Sequence, residues 1–295
     1  SYTPSSIIVD SPIIGFKPKP GGGVAAWKPG NAGGDFLGHT TLPRGLVLSR
    51  NIVTLKIAQA MGINYTHQYM QRFGFDTDLE ANLSMALGSA ALTLEEMLRA
   101  YSVFGKLGDR QSPFYVSQVL DRDGQVLEET AAGERVEGVM DPVTAYQMVA
   151  LKHAVVTSGT ATKALVLGVP LQGKTGTTND YKDAWFMGYN ADIVTGVWVG
   201  FDDFARSLGV GQYGGDCALP IWIEYMRAAL EAYPDTAFAK PAGVQIIRVD
   251  SETGLLLSDG TGVGVPFRAG TSPTTYATEA GEVDSSEFLT SDDVL

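Results

Sequence analysis

Cysteine is almost absent from this sequence, which carries only Cys217 among its 295 residues. A single thiol cannot form an intrachain disulfide, and it cannot build a cysteine-based metal cage. The three histidines, His39, His67 and His153, lie too far apart along the chain to show the spacing of metal ligands. We therefore expect no metal site and no cofactor.

Basic residues are also scarce. The chain has 21 Lys and Arg against 33 Asp and Glu, which gives a formal net charge of -12, and no cluster of Lys or Arg forms a basic face. Because phosphate backbones are bound by such faces, this charge pattern argues against a nucleic-acid partner. No apolar run approaches the roughly 20 residues of a membrane span. The hydrophobic content of 44% is nevertheless enough for a full core.

Helix-start patterns organise the first half of the chain. Thr41 followed by Pro43 is typical of a helix start, and an apolar helical face restarts over residues 52–58. The triplet at 49–51 interrupts these two patterns, so we expect it at a junction between two helices, where its side chains are exposed. Thr93 to Glu96 forms a capping box, which predicts a further helix up to Gly105.

Three strand patterns follow one another closely in the second half. The first ends near Gly176, and the others cover residues 183–189 and 193–201. Their links are too short for a crossover helix, so the strands must pair antiparallel. We predict an α+β fold with an antiparallel sheet of about five strands sandwiched between helices. A final hairpin is predicted from 244–249 and 254–257.

Reactive side chains, glycines and a strand pattern coincide at residues 172–180. The functional groups of this stretch belong to Lys174, Thr175, Thr177 and Thr178, and Gly173 and Gly176 lie beside them. Lysine supplies a positive charge with three donors, threonines supply hydroxyls, and glycines let a ligand approach the backbone. The stretch therefore predicts a binding site for an anionic group on the edge of a hairpin.

One interpretation of Lys174 is a nucleotide-binding P-loop. Residues 168–175 match G-x-x-x-x-G-K-[ST], and residues 197–202 resemble an apolar strand that ends in a magnesium-binding Asp. That mechanism needs a helix beginning at the lysine, whose amides hold the phosphates. Here Gly176 and a strand pattern follow instead, and Pro170 removes a loop amide. The context disfavours a P-loop hydrolase.

The second interpretation starts from Lys174-Thr175-Gly176 as the K-T-G element of penicillin-binding proteins and β-lactamases. Ser49-Arg50-Asn51 supplies the S-x-N element upstream, in the required order. Together with further segments, these motifs resemble the transpeptidase domain of class A penicillin-binding proteins, from Ser1 to about Leu230. The further segments are Trp27-Lys-Pro-Gly-Asn31, Thr41-Leu42, Ala86-Leu-Gly-Ser89, Arg99-Ala-Tyr101 and Asp183-Ala-Trp-Phe186.

The resemblance implies a β-lactamase-like and transpeptidase-like fold and a role for each matched residue. Ser49 relays a proton to the leaving amine, and Asn51 holds the substrate amide. Lys174 keeps the catalytic base neutral and, with Thr175 and Thr177, binds the terminal carboxylate, while the N–H of Thr177 forms half of an oxyanion hole. The catalytic set is thus Ser49, Asn51, Lys174 and Thr177, and the substrate-binding set is Thr175, Gly176, Thr177 and Thr178.

The family's nucleophile is missing from the match. No serine in this chain is followed three positions later by lysine, and the nearest imitation, Thr160 to Lys163, falls where the family has no nucleophile. We expect the S-x-x-K helix to lie just upstream of Ser1 in a longer parent, and this chain alone to be inactive. A non-catalytic remnant that binds peptidoglycan or a protein partner remains the alternative.

Domains, partners and location follow from the same resemblance. We expect a penicillin-binding transpeptidase domain over residues 1–240, then a C-terminal hairpin and an acidic, flexible tail within 241–295. The expected partners are peptidoglycan stem peptides, glycan strands derived from lipid II, and β-lactams. The parent is expected to be membrane-anchored at the outer face of the bacterial cytoplasmic membrane, with a glycosyltransferase domain as an open question.

Purely structural roles are the alternatives to these assignments. A Lys-Thr-Gly on a strand is by default a solvated edge that discourages aggregation. Ser49 and Asn51 suit a helix cap, which is the commoner role of both residue types. His153, on an apolar helix face, is expected to be structural.

Overall fold

The computed structural model describes residues 2–18, 22–130, 132–234 and 237–277. Its helices are α1 (Leu42–Val47), α2 (Asn51–Met61), α3 (Ile63–Gln71), α4 (Leu94–Gly105), α5 (Pro142–Ser158) and α6 (Ala218–Ala232). Single 3₁₀ turns occur at Leu83–Leu87, Thr162–Leu167 and Asn179–Tyr181. Among these residues no helix is long and apolar enough to cross a bilayer.

The strands come as one three-stranded sheet and several separate pairs. They are β1 (Ile7–Asp10), β2 (Gly15–Pro18), β3 (Val24–Trp27), β4 (Gly38–Thr41), β5 (Arg110–Gln111), β6 (Gln118–Leu120), β7 (Val126–Glu129), β8 (Arg135–Val136), β9 (Gln172–Thr177), β10 (Asp183–Tyr189), β11 (Val194–Gly200), β12 (Val244–Val249) and β13 (Val263–Arg268). The pairs are β1–β4, β2–β3, β5–β8, β6–β7 and β12–β13.

The central sheet has the order β11-β10-β9, and every pairing in it is antiparallel. This confirms the α+β class and the antiparallel sheet, with Lys174 on an edge strand. The number of strands differs, since three rather than about five pair in the described residues. The difference arises because the C-terminal strands β12 and β13 form a sheet of their own instead of extending the central one.

Helices cover both faces of this sheet because its side chains alternate. Phe186 points to one face, where its ring contacts Trp222 of α6 at 4.8 Å between centroids. Lys174 pairs with Met187 across the strands, so both point to the opposite face. A Cβ on Gly196 would meet Leu94 of α4, which places α4 on that second face. The buried core around Trp222 includes Val155, Leu171, Ala218 and Leu219.

The predicted C-terminal hairpin is corrected. Residues 244–249 pair with 263–268 and not with 254–257, because residues 250–254 form a turn held by Asp250 and the chain meets β12 only at a single bridge to Leu256. Four short strands precede α1, and β1 finds its partner in the distant β4. Most of the predicted acidic tail, residues 278–295, lies outside the described residues.

Candidate active site

The S-x-N triplet lies at the junction between α1 and α2, as its sequence context predicts. Ser49 adopts a positive φ of 54°, a left-handed conformation that reverses the chain between the helices. Ser49 does not cap α2, since no side chain forms a capping hydrogen bond at the start of that helix. Asn51 is the first residue of α2, and its side-chain amide donates to the carbonyl of Gly30 at 3.0 Å.

A buried ion pair anchors this junction. Arg50 donates through Nε to Asp10 at 2.8 Å and through Nη1 to Asp35 at 3.1 Å. Asp10 is fully buried and also accepts from the side chain of Asn31, whose Oδ1 in turn accepts from the N–H of Ile52. Burial by itself raises the pKa of Asp10, but these hydrogen bonds outweigh it and hold that pKa below its usual value.

Strand β9 carries the K-T-G element to the same place. Lys174 Nζ donates to Ser49 Oγ at 2.7 Å and to the Thr175 carbonyl at 3.0 Å. The side chains of the two motifs are thus in direct contact. Two motifs 125 positions apart therefore meet in one site.

The strand continues through Thr175 to Thr177, and this contradicts the P-loop interpretation. A P-loop needs a helix that begins at the lysine, whereas β9 pairs with β10 as far as Thr177. The N–H of Thr178 donates to the carbonyl of Asp183 at 3.3 Å. Since alternate residues of an antiparallel strand direct their N–H groups to opposite sides, the N–H of Thr177 points away from β10, toward the open edge.

The threonine hydroxyls have protein partners in this structure. Thr175 Oγ1 lies 2.8 Å from Thr160 Oγ1, and Thr177 Oγ1 accepts from the N–H of Gly214 at 3.0 Å. Thr178 Oγ1 accepts from the N–H of Asp183 at 3.0 Å. The first two lie on one face of β9 with open solvent nearby, whereas the third closes the turn between β9 and β10.

The glycines of this strand serve packing. A Cβ on Gly173 would lie 2.4 Å from the ring of Phe186. The space beside this glycine, where a ligand was expected, is thus filled by an aromatic ring. A Cβ on Gly176 would lie 3.1 Å from the Cβ of Trp185 on the neighbouring strand. The glycines thus let aromatic side chains of β10 lie flat against β9.

Sequence reasoning missed a second lysine behind the site. Lys152 of α5 is buried, and its ammonium lies 3.0 Å from the ring centroid of Phe104 and 4.3 Å from that of Tyr101. Burial lowers the pKa of Lys174 to about 8, and it lowers the pKa of Lys152 well below its usual value, with the charge of Lys174 acting in the same direction. The only sign of this buried lysine in the sequence is its position on the apolar helical face of α5.

These two lysines predict that the free energy of unfolding rises between pH 8 and about 10. An unfolded lysine keeps its proton up to about 10.5, whereas Lys174 releases it near 8 in the fold, so the charged form destabilises the fold below this window. Between pH 8 and 10, deprotonation of Lys174 in the fold raises the free energy of unfolding by about 2 kcal/mol. Lys152 acts in the same direction. Above about pH 10 the trend reverses, because burial raises the pKa of Tyr101 and only the unfolded chain ionises there.

Urea unfolding at pH 8, 9 and 10 measures this effect. The Lys174→Met variant should show a shallower rise, whereas Lys106→Met, which replaces an exposed lysine after α4, should keep the full rise. A stability curve of the unsubstituted chain that is flat or falling over this range would contradict the assignment.

Known proteins share the sequence and the fold of this chain. The family model described as penicillin binding protein transpeptidase domain matches residues 12–203. Penicillin-binding protein 1A of Neisseria gonorrhoeae is 41% identical over 247 residues, which is 82% of this chain and 31% of that protein. Penicillin-binding protein 1A of Pseudomonas aeruginosa is 37% identical over an alignment of 313 residues. The chain thus spans about a third of the length of the curated relatives it matches.

Solved structures agree with the sequence relatives. The crystal structure of penicillin-binding protein 1A from Haemophilus influenzae superposes with a TM-score of 0.83 at 32% identity, covering 94% of this chain and 46% of that one. PonA1 from Mycobacterium tuberculosis, solved in complex with penicillin V, superposes with a TM-score of 0.64 at 23% identity, which shows the shared fold alone. With its family model, its relatives and its fold in agreement, the chain belongs to the penicillin-binding protein transpeptidase domain family.

Proposed function

We propose that this chain is most of a D,D-transpeptidase domain, which cross-links peptidoglycan stem peptides by serine acyl transfer and is acylated by β-lactams. The observation that carries the proposal is the hydrogen bond of 2.7 Å between Lys174 Nζ and Ser49 Oγ. It joins the two elements that such a site needs on opposite sides of the reacting serine, and nothing in the local sequence of either element requires them to meet.

The chemistry assigns a role to each group. Lys174, charged at neutral pH with a pKa of about 8, attracts the substrate carboxylate. Thr175 and Thr177 lie on the same strand, β9, and supply hydroxyls. The outward N–H of Thr177 suits one half of an oxyanion hole. Ser49 accepts from Lys174, so its own proton is free to pass to the leaving amine. Asn51 holds the substrate amide once it releases Gly30.

The nucleophile is proposed to come from an upstream S-x-x-K helix of the parent protein. The 295 residues contain no such pair, and the curated relatives are about three times as long as the match. We place the parent at the outer face of the bacterial cytoplasmic membrane, where peptidoglycan stem peptides and lipid II-derived strands are found.

Labelling with a fluorescent penicillin tests this function. The protein to use is the extended chain, defined as this sequence continued upstream through an S-x-x-K helix. We expect stoichiometric labelling that unlabelled penicillin prevents. An extended chain that folds and takes up no label would contradict serine acyl transfer and favour a peptidoglycan-binding remnant.

A further inference from the structure

A second candidate site lies beside β9, on the sheet face to which Lys174 points. A cavity of about 350 Å³ is lined by Leu94, Trp185, Trp198, Asp202 and Phe204, and we call it the indole pocket. Trp185 pairs with Gly176 across the strands, so the pocket begins one strand away from the K-T-G edge. None of the roles assigned to the transpeptidase site uses it.

The aromatic walls of the pocket are fixed in place. Both indole N–H groups donate to the same carboxylate oxygen, Asp183 Oδ2, at 2.9 Å from Trp185 and 3.1 Å from Trp198. Asp183 is buried, so this anchor is shielded from water. The two indole rings lie 6.4 Å apart, and the ring of Phe204 lies 6.3 Å from that of Trp198.

The pocket also carries negative charge with no cation to balance it. Asp202 lies in the lining and forms no hydrogen bond or ion pair with any described residue. The cation nearest to Asp202 along the chain is engaged elsewhere, since Arg206 lies 4.0 Å from the ring centroid of Phe201 and 3.9 Å from Asp203. Indoles whose N–H groups donate to a carboxylate present more negative ring faces, which attract a cation.

Phe204 supports the same conclusion through its backbone. It has a φ of 50°, a conformation that is strained for a bulky residue, and the residue is 43% exposed. A large apolar side chain held in that geometry at the mouth of a cavity is typical of a functional position.

We infer that the indole pocket binds a primary alkylammonium group of side-chain size. Three aromatic rings surround the aminoalkyl chain, and Asp202 pairs with the charge, which is the chemistry of an aromatic cage. If the proposed transpeptidase function holds, the source of such a group is an amine-bearing peptide strand, and this last identification rests on that function. The pocket would dock the peptide through its charged side chain and takes no part in acyl transfer.

Binding of cadaverine to the 295-residue chain tests the inference, with 1,5-pentanediol as the uncharged control of the same length. The readout is the indole ¹⁵N–¹H signals of Trp185 and Trp198 during titration. We expect cadaverine to shift both signals saturably and to bind at least tenfold more tightly than the diol. Equal binding of the two would overturn the inference in favour of a surface for an apolar segment, and unshifted indole signals would also overturn it.

Two neighbouring variants sharpen the test. Asp202→Asn removes the unpaired charge and should weaken cadaverine binding about three- to tenfold. Asp203→Asn removes a neighbouring exposed carboxylate that does not line the pocket, and binding should stay within about twofold. Equal weakening by both would show a nonspecific charge effect and overturn the site. No acyl donor is present, so a failure here leaves the proposed acyl transfer untouched, and failed penicillin labelling leaves this result standing.

Discussion

In the extended chain, Lys174→Ala is expected to slow acylation by penicillin by about 10²-fold or more. The substitution removes the cation that attracts the carboxylate of the β-lactam, and it removes the hydrogen bond of 2.7 Å to Ser49. It also deletes the positive charge that would help to keep the lysine of the proposed S-x-x-K helix neutral. The second-order rate constant of acylation, followed by stopped-flow or by quenched labelling, measures the effect.

Two controls separate this role from a loss of fold. Lys106→Ala, which replaces an exposed lysine, should acylate at the rate of the unsubstituted protein. A penicillin methyl ester, which lacks the carboxylate, should react slowly with both proteins and lose much less from Lys174→Ala than penicillin does. A Lys174→Ala protein that acylates within about threefold of the original rate would remove Lys174 from the proposed site.

The 295-residue chain alone is expected to form no stable adduct with penicillin, whereas the extended chain is labelled stoichiometrically. Removal of the nucleophile from a serine acyl-transfer site costs several orders of magnitude in rate. Ser49 is not a substitute, because Lys174 beside it is charged at neutral pH and cannot take its proton, and the lysine of the S-x-x-K pair is absent from this sequence. Intact-protein mass spectrometry after incubation with penicillin measures the difference.

The Ser49→Ala variant and a folding check make this result decisive. Circular dichroism must show that the short chain is folded before its lack of an adduct counts. An adduct on the folded short chain that disappears in Ser49→Ala would make Ser49 the nucleophile, and the proposed division of roles would then be wrong.

Local sequence patterns determined much of the secondary structure. The capping box at Thr93 begins α4 as predicted, with both of its hydrogen bonds present. The short links around residues 178–182 and 190–193 produced the antiparallel order β11-β10-β9. These elements were predictable because each depends on side chains and turns within a few residues, so distant parts of the chain have little influence on them.

Local pattern predicted an anion-binding site around Lys174, but only the family resemblance joined it to the triplet at Ser49. Neither Ser49-Arg50-Asn51 nor Lys174-Thr175-Gly176 contains a signal that the two meet, since a triplet of this kind also suits a helix junction or a solvated edge. Their positions depend on a buried ion pair between Arg50 and Asp10, two residues 40 positions apart, and on the packing of α5 against β9.

Only the tertiary structure decided three further features. The pairing of β1 with β4, the burial of Lys152 among aromatic rings and the indole pocket each join residues that are separated by long stretches of sequence. Such contacts depend on how whole helices and strands pack, because a charge is buried or a cavity left open only by the sum of many distant neighbours. The sequence by itself thus determined α1, α2 and α4, the short-linked strands and the family, whereas the packing of those elements determined which charged groups share one environment.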